Sequence, residues 1–179
     1  DIKTKINIVR YGNVILSRGS VIPLFVEKIM EHKEVPVTSF EMTRFILSLQ
    51  DSFNLVLLAL NIGKSGEIFV KKLPATNIEV LLKSLERIFD RKIKTKLIGI
   101  RQGEKLHEEL ISQEEMKNTS SFKDYFIIKN EFNKNLNYKN YFMKGIKSKF
   151  KEGYNSANTT QINEKQLVKI LLKERYISE

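Results

Sequence analysis

Residues 10–25, RYGNVILSRGSVIPLF, constrain the fold of this chain more than any other stretch. They follow an apolar, β-branched run (Ile6, Ile8, Val9) that reads as a buried strand over residues 5–10. Gly12, Asn13, Arg18, Gly19 and Ser20 then supply turn chemistry. From residue 20 to residue 33, Ile22, Phe25, Val26, Ile29 and Met30 recur at helical spacing. Pro23 falls in the first turn, where its missing N–H removes no helical bond. A strand, a Gly-bearing turn and a helix start, in that order, direct backbone N–H groups at the position where α/β proteins hold anions. The stretch therefore predicts an α/β fold with a phosphate-binding turn.

The rest of the chain continues the alternation of strands and helices. Residues 35–38 read as a short extended piece, placed at an edge or in a loop by Pro36. Ser48 and Asp51 form a capping pair for a helix running to about residue 61, and Gly63 ends it. Residues 66–72 read as a strand closed by Pro74. Thr76 and Glu79 are expected to cap an amphipathic helix with Ile78, Leu81, Leu82, Leu85, Ile88 and Phe89 on its inner stripe. A third strand is expected over 96–100 and a short helix over 106–111. After Ser112 the pattern thins to a brief strand over 125–128 and a polar run over 130–140. A last helix follows over 166–176, with Asn163 as its N-cap. The division expected is a compact α/β part, 1–111, and an extended C-terminal part with a terminal helix, 112–179.

Composition excludes several classes. A hydrophobic content of 41% in 179 residues supports one core-bearing domain rather than a disordered chain. The absence of Cys removes disulfide frameworks and thiolate metal sites, which suits a reducing cytoplasm. No apolar run reaches the roughly 18 residues of a membrane span. The net charge of +10 invites a nucleic-acid reading. Against it, 24 Lys outnumber 7 Arg and are spread along the sequence. The densest basic group (Lys134, Lys139, Lys144, Lys147, Lys149, Lys151) is interleaved with Tyr138, Tyr141, Phe142 and Phe150, a pattern that a solvated tail with aromatic anchors also gives. Nucleic acid is therefore not the expected partner.

RYGNV followed by SRGSVIPLF resembles the bacterial polysaccharide-biosynthesis branch of the extended short-chain dehydrogenase/reductases. That branch holds UDP-N-acetylglucosamine 4,6-dehydratases, including capsule-type dehydratase/epimerases, and proteins named UDP-glucose 4-epimerase. The resemblance continues in order through MTRF (42–45), GEIFVKKLPA (66–75) and IGIRQGEKLHEEL (98–110), and resumes at LNYKNYF (136–142) and GYNSANT (153–159). It implies the C-terminal part of such a fold: the last Rossmann strands, a small UDP-sugar-binding α/β subdomain and an extended C-terminal tail. In such an enzyme NAD or NADP takes a hydride from sugar C4; dehydration or 4-epimerisation follows.

The resemblance also implies roles for residues. At Tyr11 it places a side chain near the nicotinamide, and at Asn13 an amide on the sugar-nucleotide diphosphate. Ser17, Arg18, Gly19 and Ser20 fall beside the substrate, though Ser20 also suits simple helix capping. Thr38 and Met42 fall on the uracil side. Arg44, seven residues before Asp51, falls on the diphosphate, where a guanidinium binds bidentately; a structural Arg44–Asp51 pair is the alternative. Arg101 would meet the diphosphate and Glu104 the ribose hydroxyls, with a surface ion pair as the alternative. His107 and Glu108 read as exposed helix residues, since no metal-ligand spacing surrounds them.

Catalytic machinery is not found. None of the eight Gly residues forms G-x-G-x-x-G. The Tyr/Met-x-x-x-Lys pair of the resembled enzymes precedes the RYGNV strand, where this sequence has four residues. Tyr125 with Lys129 and Met143 with Lys147 repeat the spacing in the wrong place. No catalytic or metal-binding residue is assigned. The expectation is the UDP-sugar-binding half of a cytoplasmic enzyme, with UDP-N-acetylglucosamine as the leading ligand, homo-oligomeric when complete. NAD or NADP would be held by an N-terminal half outside this sequence, and the first strand would want a parallel neighbour from it. A noncatalytic remnant and a basic nucleic-acid module are the readings from other classes.

Overall fold

The structure is a computed structural model, and it describes residues 4–130, 146–147 and 152–173. In chain order the elements are β1 (Ile8–Arg10), α1 (Val21–Met30), β2 (Val35–Val37), β3 (Thr43–Phe45), α2 (Leu49–Ile62), β4 (Ile68–Lys71), β5 (Ala75–Asn77), α3 (Ile78–Phe89), β6 (Thr95–Leu97), β7 (Glu109–Ile111), α4 (Gln113–Met116), β8 (Thr119–Ser121), β9 (Tyr125–Ile128), β10 (Ile146–Lys147), β11 (Tyr154–Asn155) and α5 (Glu164–Lys173). They form two compact units that interleave along the chain.

The first unit comprises Asp1–Gly12, Leu47–Leu73 and Glu109–Asn155. Its five-stranded sheet has the order β1-β4-β9-β8-β10. The apolar run at β1 pairs parallel with β4, Ile8 opposite Ile68, and the other pairings are antiparallel. Among the described residues β1 is an edge strand. Leu55 and Ala59 of α2 pack on Phe69, Phe122, Tyr125 and Ile127. The strand expected over 125–128 is β9, whose aromatic and β-branched side chains are all buried, and the unexpected β8 (Thr119–Ser121) pairs with it in this sheet.

Ser48 caps α2 as expected: its Oγ accepts from Asp51 N at 3.1 Å and donates to Asp51 Oδ2 at 2.8 Å. Gly63 ends the helix, but with φ −67° rather than in the left-handed region. Asn7 explains the glycine: its Nδ2 donates to Ala59 O at 3.1 Å, against the space a Cβ at Gly63 would fill.

The second unit comprises Asn13–Ile46, Pro74–Glu108 and Ser156–Glu179. The helical period of residues 20–33 resolves into α1, which buries Ile22, Phe25 and Ile29. They join Val35, Val37, Leu81, Leu85, Leu167 and Leu171 in one core, with α3 lying against α5. β2 pairs parallel with β6, so Pro36 is in a strand of a two-stranded sheet; β3 pairs antiparallel with β5. The cap of α3 is Asn77, whose Oδ1 accepts from Val80 N at 2.8 Å, not the expected Thr76. Asn77 closes β5 and opens α3 without a linker, and an amide acceptor suits that junction. Asn163 caps α5 as expected, accepting from Gln166 N at 3.0 Å.

Two expectations in 96–111 are corrected. The third strand is only Thr95–Leu97 and is exposed throughout. Residues 109–111 form β7, paired with β11, in place of the end of a helix. Leu110 and Ile111 are buried by that pairing, which apolar spacing over six residues cannot distinguish from a helical turn.

Candidate functional site

The second unit carries a cavity of about 220 Å³ at the start of α1. Its floor is apolar: Ile15, Ile22, Ile46, Ile78 and Leu81. Its polar groups are Asn13, Ser20, Arg44 and Thr76, beside Gly19. Four pieces of the sequence thus meet here: the turn before α1, the helix start, the end of β3 and the β5–α3 junction.

Ser20 stands at the N-cap of α1, yet its side chain makes no capping bond. Its Oγ is shielded from solvent and has no hydrogen-bond partner among the described residues. A buried hydroxyl without a partner costs about 1–3 kcal/mol. It stands where the first N–H groups of the helix also lack intrahelical partners. Gly19 just before it has φ +78°, and a Cβ there would meet nothing within 4 Å. The glycine is required by backbone conformation, not by close packing.

Arg44 forms another wall. Its Nη1 donates to Thr43 O at 2.7 Å and to Leu106 O at 3.3 Å, and its Nε stands 3.5 Å from Glu108 Oε1. Burial pulls the guanidinium below the usual arginine range, with the Glu108 and Glu104 carboxylates opposing that shift. A half-buried cation held by carbonyls beside a cavity offers its charge to an anion at reduced dielectric screening. Asp51, in the first unit, bonds Ser48 and lies 3.4 Å from Lys71.

The other expected residues are placed as follows. Ser17 and Arg18 are exposed and do not line the cavity, although Ser20 N donates to Ser17 O at 3.0 Å. Thr38 is half-buried after β2, outside the lining. Met42 is buried, with its sulfur 2.8 Å from Arg44 Nη2. Arg101 and Glu104 are exposed and also outside the lining; Glu104 Oε2 accepts from Arg101 N at 3.0 Å, so the pair closes its own turn. Tyr11 is exposed at the end of β1, in the first unit.

Sequence reasoning missed a buried polar network. Thr43 Oγ1 lies 2.8 Å from His107 Nδ1 and 2.6 Å from Ser156 Oγ. His107 and Glu108 are therefore not exposed helix residues: one joins this network and the other faces Arg44. Thr76 was missed as a cavity residue too, since its spacing to Glu79 mimics a capping pair. Of the two displaced Lys pairs, Tyr125 is a core residue stacked on Phe122 at 4.8 Å between centroids, and Met143 lies outside the described residues. Among the described residues no acidic, His or Cys group of three is arranged for a metal, and no helix is long and apolar enough to cross a membrane.

Among the described residues, those at the turn before α1 do not fit the pyrophosphate of a nicotinamide dinucleotide. That group needs several glycines close together at a strand–helix junction, and Gly19 stands by itself above open space.

The fold and its alternation of partners are those of part of an extended short-chain dehydrogenase/reductase. The chain belongs to the polysaccharide biosynthesis protein family, whose model matches residues 1–130; a model for the C-terminal part of such proteins matches residues 133–178. It is 46% identical over 178 residues to a UDP-glucose 4-epimerase of Rickettsia massiliae (strain Mtu5), covering 99% of this chain and 52% of that protein. A UDP-glucose 4-epimerase of Rickettsia rickettsii (strain Sheila Smith) is 45% identical over the same coverage. The chain thus spans about half the length of the curated relatives it matches. Among solved structures, Pen from Bacillus thuringiensis superposes with a TM-score of 0.81 at 32% identity, over 95% of this chain and 49% of that one. A UDP-glucuronic acid 4-epimerase from Bacillus cereus, in complex with UDP-glucuronic acid and NAD, shares the fold at a TM-score of 0.51 and 19% identity, over 55% of this chain and 34% of that one.

Proposed function

We propose that the cavity at the start of α1 binds the diphosphate of a UDP-sugar, and that this chain is the substrate-binding part of a nucleotide-sugar 4,6-dehydratase or 4-epimerase. The observation that carries this reading is the shielded, unpartnered Ser20 Oγ of the N-cap residue of α1, in a lining that also includes the Arg44 cation. A phosphate oxygen would satisfy the hydroxyl and the helix N–H groups together. Asn13 adds an amide donor. The names of the relatives support UDP as the nucleotide.

Around this centre, Ser17, Arg18 and Gly19 would shape the approach to the sugar, and Thr38 and Met42 the uracil side. Arg101 is the residue we assign to the diphosphate and Glu104 the one we assign to the ribose hydroxyls, both on an exposed turn. Tyr11 is the residue we place beside the nicotinamide of NAD or NADP held by another part of the complete protein. UDP-N-acetylglucosamine 4,6-dehydration is our first reading of the whole protein's reaction; UDP-glucose 4-epimerisation is the second, favoured by the relatives' names. We assign no acid–base residue in this chain and expect no turnover from it by itself.

Calorimetry with UDP, UDP-N-acetylglucosamine and UDP-glucose tests the binding reading. Binding that Arg44→Ala weakens about tenfold or more supports it. No heat with any of the three at millimolar ligand removes it.

A further inference from the structure

The GYNSANT segment has no role in the site described so far, yet its Ser156 is completely buried. Its Oγ donates to Thr43 O at 3.1 Å, accepts from Glu108 N at 2.9 Å and lies 2.6 Å from Thr43 Oγ1. Ser156 N donates to Glu108 O at 2.8 Å. Thr43 O also accepts from Arg44 Nη1, and Glu108 is the carboxylate facing Arg44 Nε. One hydroxyl therefore ties together two of the groups that hold the guanidinium: a carbonyl of β3 and the backbone of its carboxylate partner. Thr43 N donates to Leu106 O at 3.0 Å, the other carbonyl on Arg44, so the clamp closes through the same short segment.

We propose that Ser156 is a positioning residue that sets the pose of the Arg44 guanidinium, and through it the affinity of the cavity for a nucleoside diphosphate. The part concerning affinity rests on the UDP-sugar reading; the part concerning pose does not. Without the Ser156 hydroxyl, the Glu108 N–H loses a buried acceptor and Thr43 O keeps only Arg44 as its side-chain donor. A buried polar group left unpaired draws a compensating shift, and here the neighbours free to shift are the segment 106–108 and Arg44.

The test uses the full chain and two readouts. Nuclear magnetic resonance follows the Arg44 Nε–H, and calorimetry follows UDP. In Ser156→Ala we expect the Nε–H to shift and to exchange about tenfold faster. UDP affinity should fall about fivefold, and the double variant with Arg44→Ala should bind no more weakly than Arg44→Ala alone, as coupled residues do. Ile162→Val, a core change in the same unit, controls for stability and should leave the Nε–H unmoved. An unchanged Nε–H in Ser156→Ala overturns the proposal, as does an equal change in Ile162→Val or a fully additive loss of affinity. Should Ser156→Ala not fold, Ser156→Cys, with similar volume and a weaker donor, is read by the same criteria. If the unaltered chain binds no UDP while the Nε–H still responds, the ligand reading fails and the positioning role stands.

Discussion

Arg10 grips Glu115 with both terminal nitrogens, Nη1 to Oε2 at 2.8 Å and Nη2 to Oε1 at 2.9 Å, while Nη1 also donates to Leu110 O at 2.8 Å. The bidentate pair ties the end of β1 to α4, where Glu115 also completes a capping box with Ser112. The Arg10 hydrogen bonds hold the Glu115 carboxyl below the usual carboxylate range, against an opposing effect of burial. A carboxylate with a depressed folded pKa stabilises the fold above its unfolded pKa, and that stabilisation is lost as pH falls through the folded value. Both side chains are about one-third exposed, so solvent screening reduces the contribution to about 1 kcal/mol. Glu115→Gln should therefore be less stable than the unaltered chain at pH 7, and the two should converge at a pH acidic enough to protonate the Glu115 carboxyl in the folded chain. Urea unfolding at both pH values measures this; a pH-independent gap would mean that the cap, not the ion pair, carries the energy.

Gly63 offers a packing test. A Cβ there would stand 2.3 Å from Ala59 O and 2.3 Å from Asn7 Nδ2. Since φ is −67°, Gly63→Ala pays nothing for backbone conformation, and its whole cost is the displaced Asn7 amide and the crowded carbonyl. We expect a loss of about 1–3 kcal/mol. Asn7→Ala alone should lose about 1 kcal/mol. If Gly63→Ala in an Asn7→Ala background is still fully destabilising, the carbonyl contact dominates.

These two pairs show what could be read before the fold was seen. Ser48, Asn163 and the α1 stripe were legible because caps and helical periods are local, set within four residues. Arg10–Glu115 and Asn7–Ala59 join positions 105 and 52 residues apart, and no local pattern announces them. The same holds within the site. Asn13, Gly19, Ser20 and Arg44 reach one cavity, and a strand–turn–helix signal marked three of them. Ser156 meets Thr43 across 113 residues, so its role depended on the register of β3 and on where residues 106–108 return. Residues 106–111 misled because a buried two-strand pairing and a helical turn both put apolar side chains at 106, 110 and 111.

Ser20→Ala separates ligand binding from folding. At an ordinary N-cap the change costs about 1 kcal/mol. Here the side chain caps nothing and its Oγ is shielded without a partner, so the alanine variant should match or slightly exceed the original stability. UDP affinity should nonetheless fall several-fold. Thermal unfolding with and without UDP reads both at once. A drop of several degrees in the ligand-free Tm would show that the hydroxyl works for the helix.

The outer face of α2 concerns association. Leu49, Phe53, Leu57 and Leu60 are spaced four, four and three residues apart, one helical stripe, and are 71%, 56%, 41% and 72% exposed. The opposite face, with Leu55 and Ala59, is packed on the sheet. A helix apolar on both sides is normally covered on both, and Ile6 and Ile8, at and beside the edge strand β1, are exposed too. We expect the chain by itself to self-associate through this stripe, and Phe53→Glu with Leu60→Lys to restore a monomer in light scattering. Because these side chains contribute little to burial within the unit, the variant should keep its Tm within about 3 °C. If the variant instead unfolds, the stripe is engaged within the chain; if it folds but still associates, the contact lies elsewhere, with the exposed β1 edge next in line.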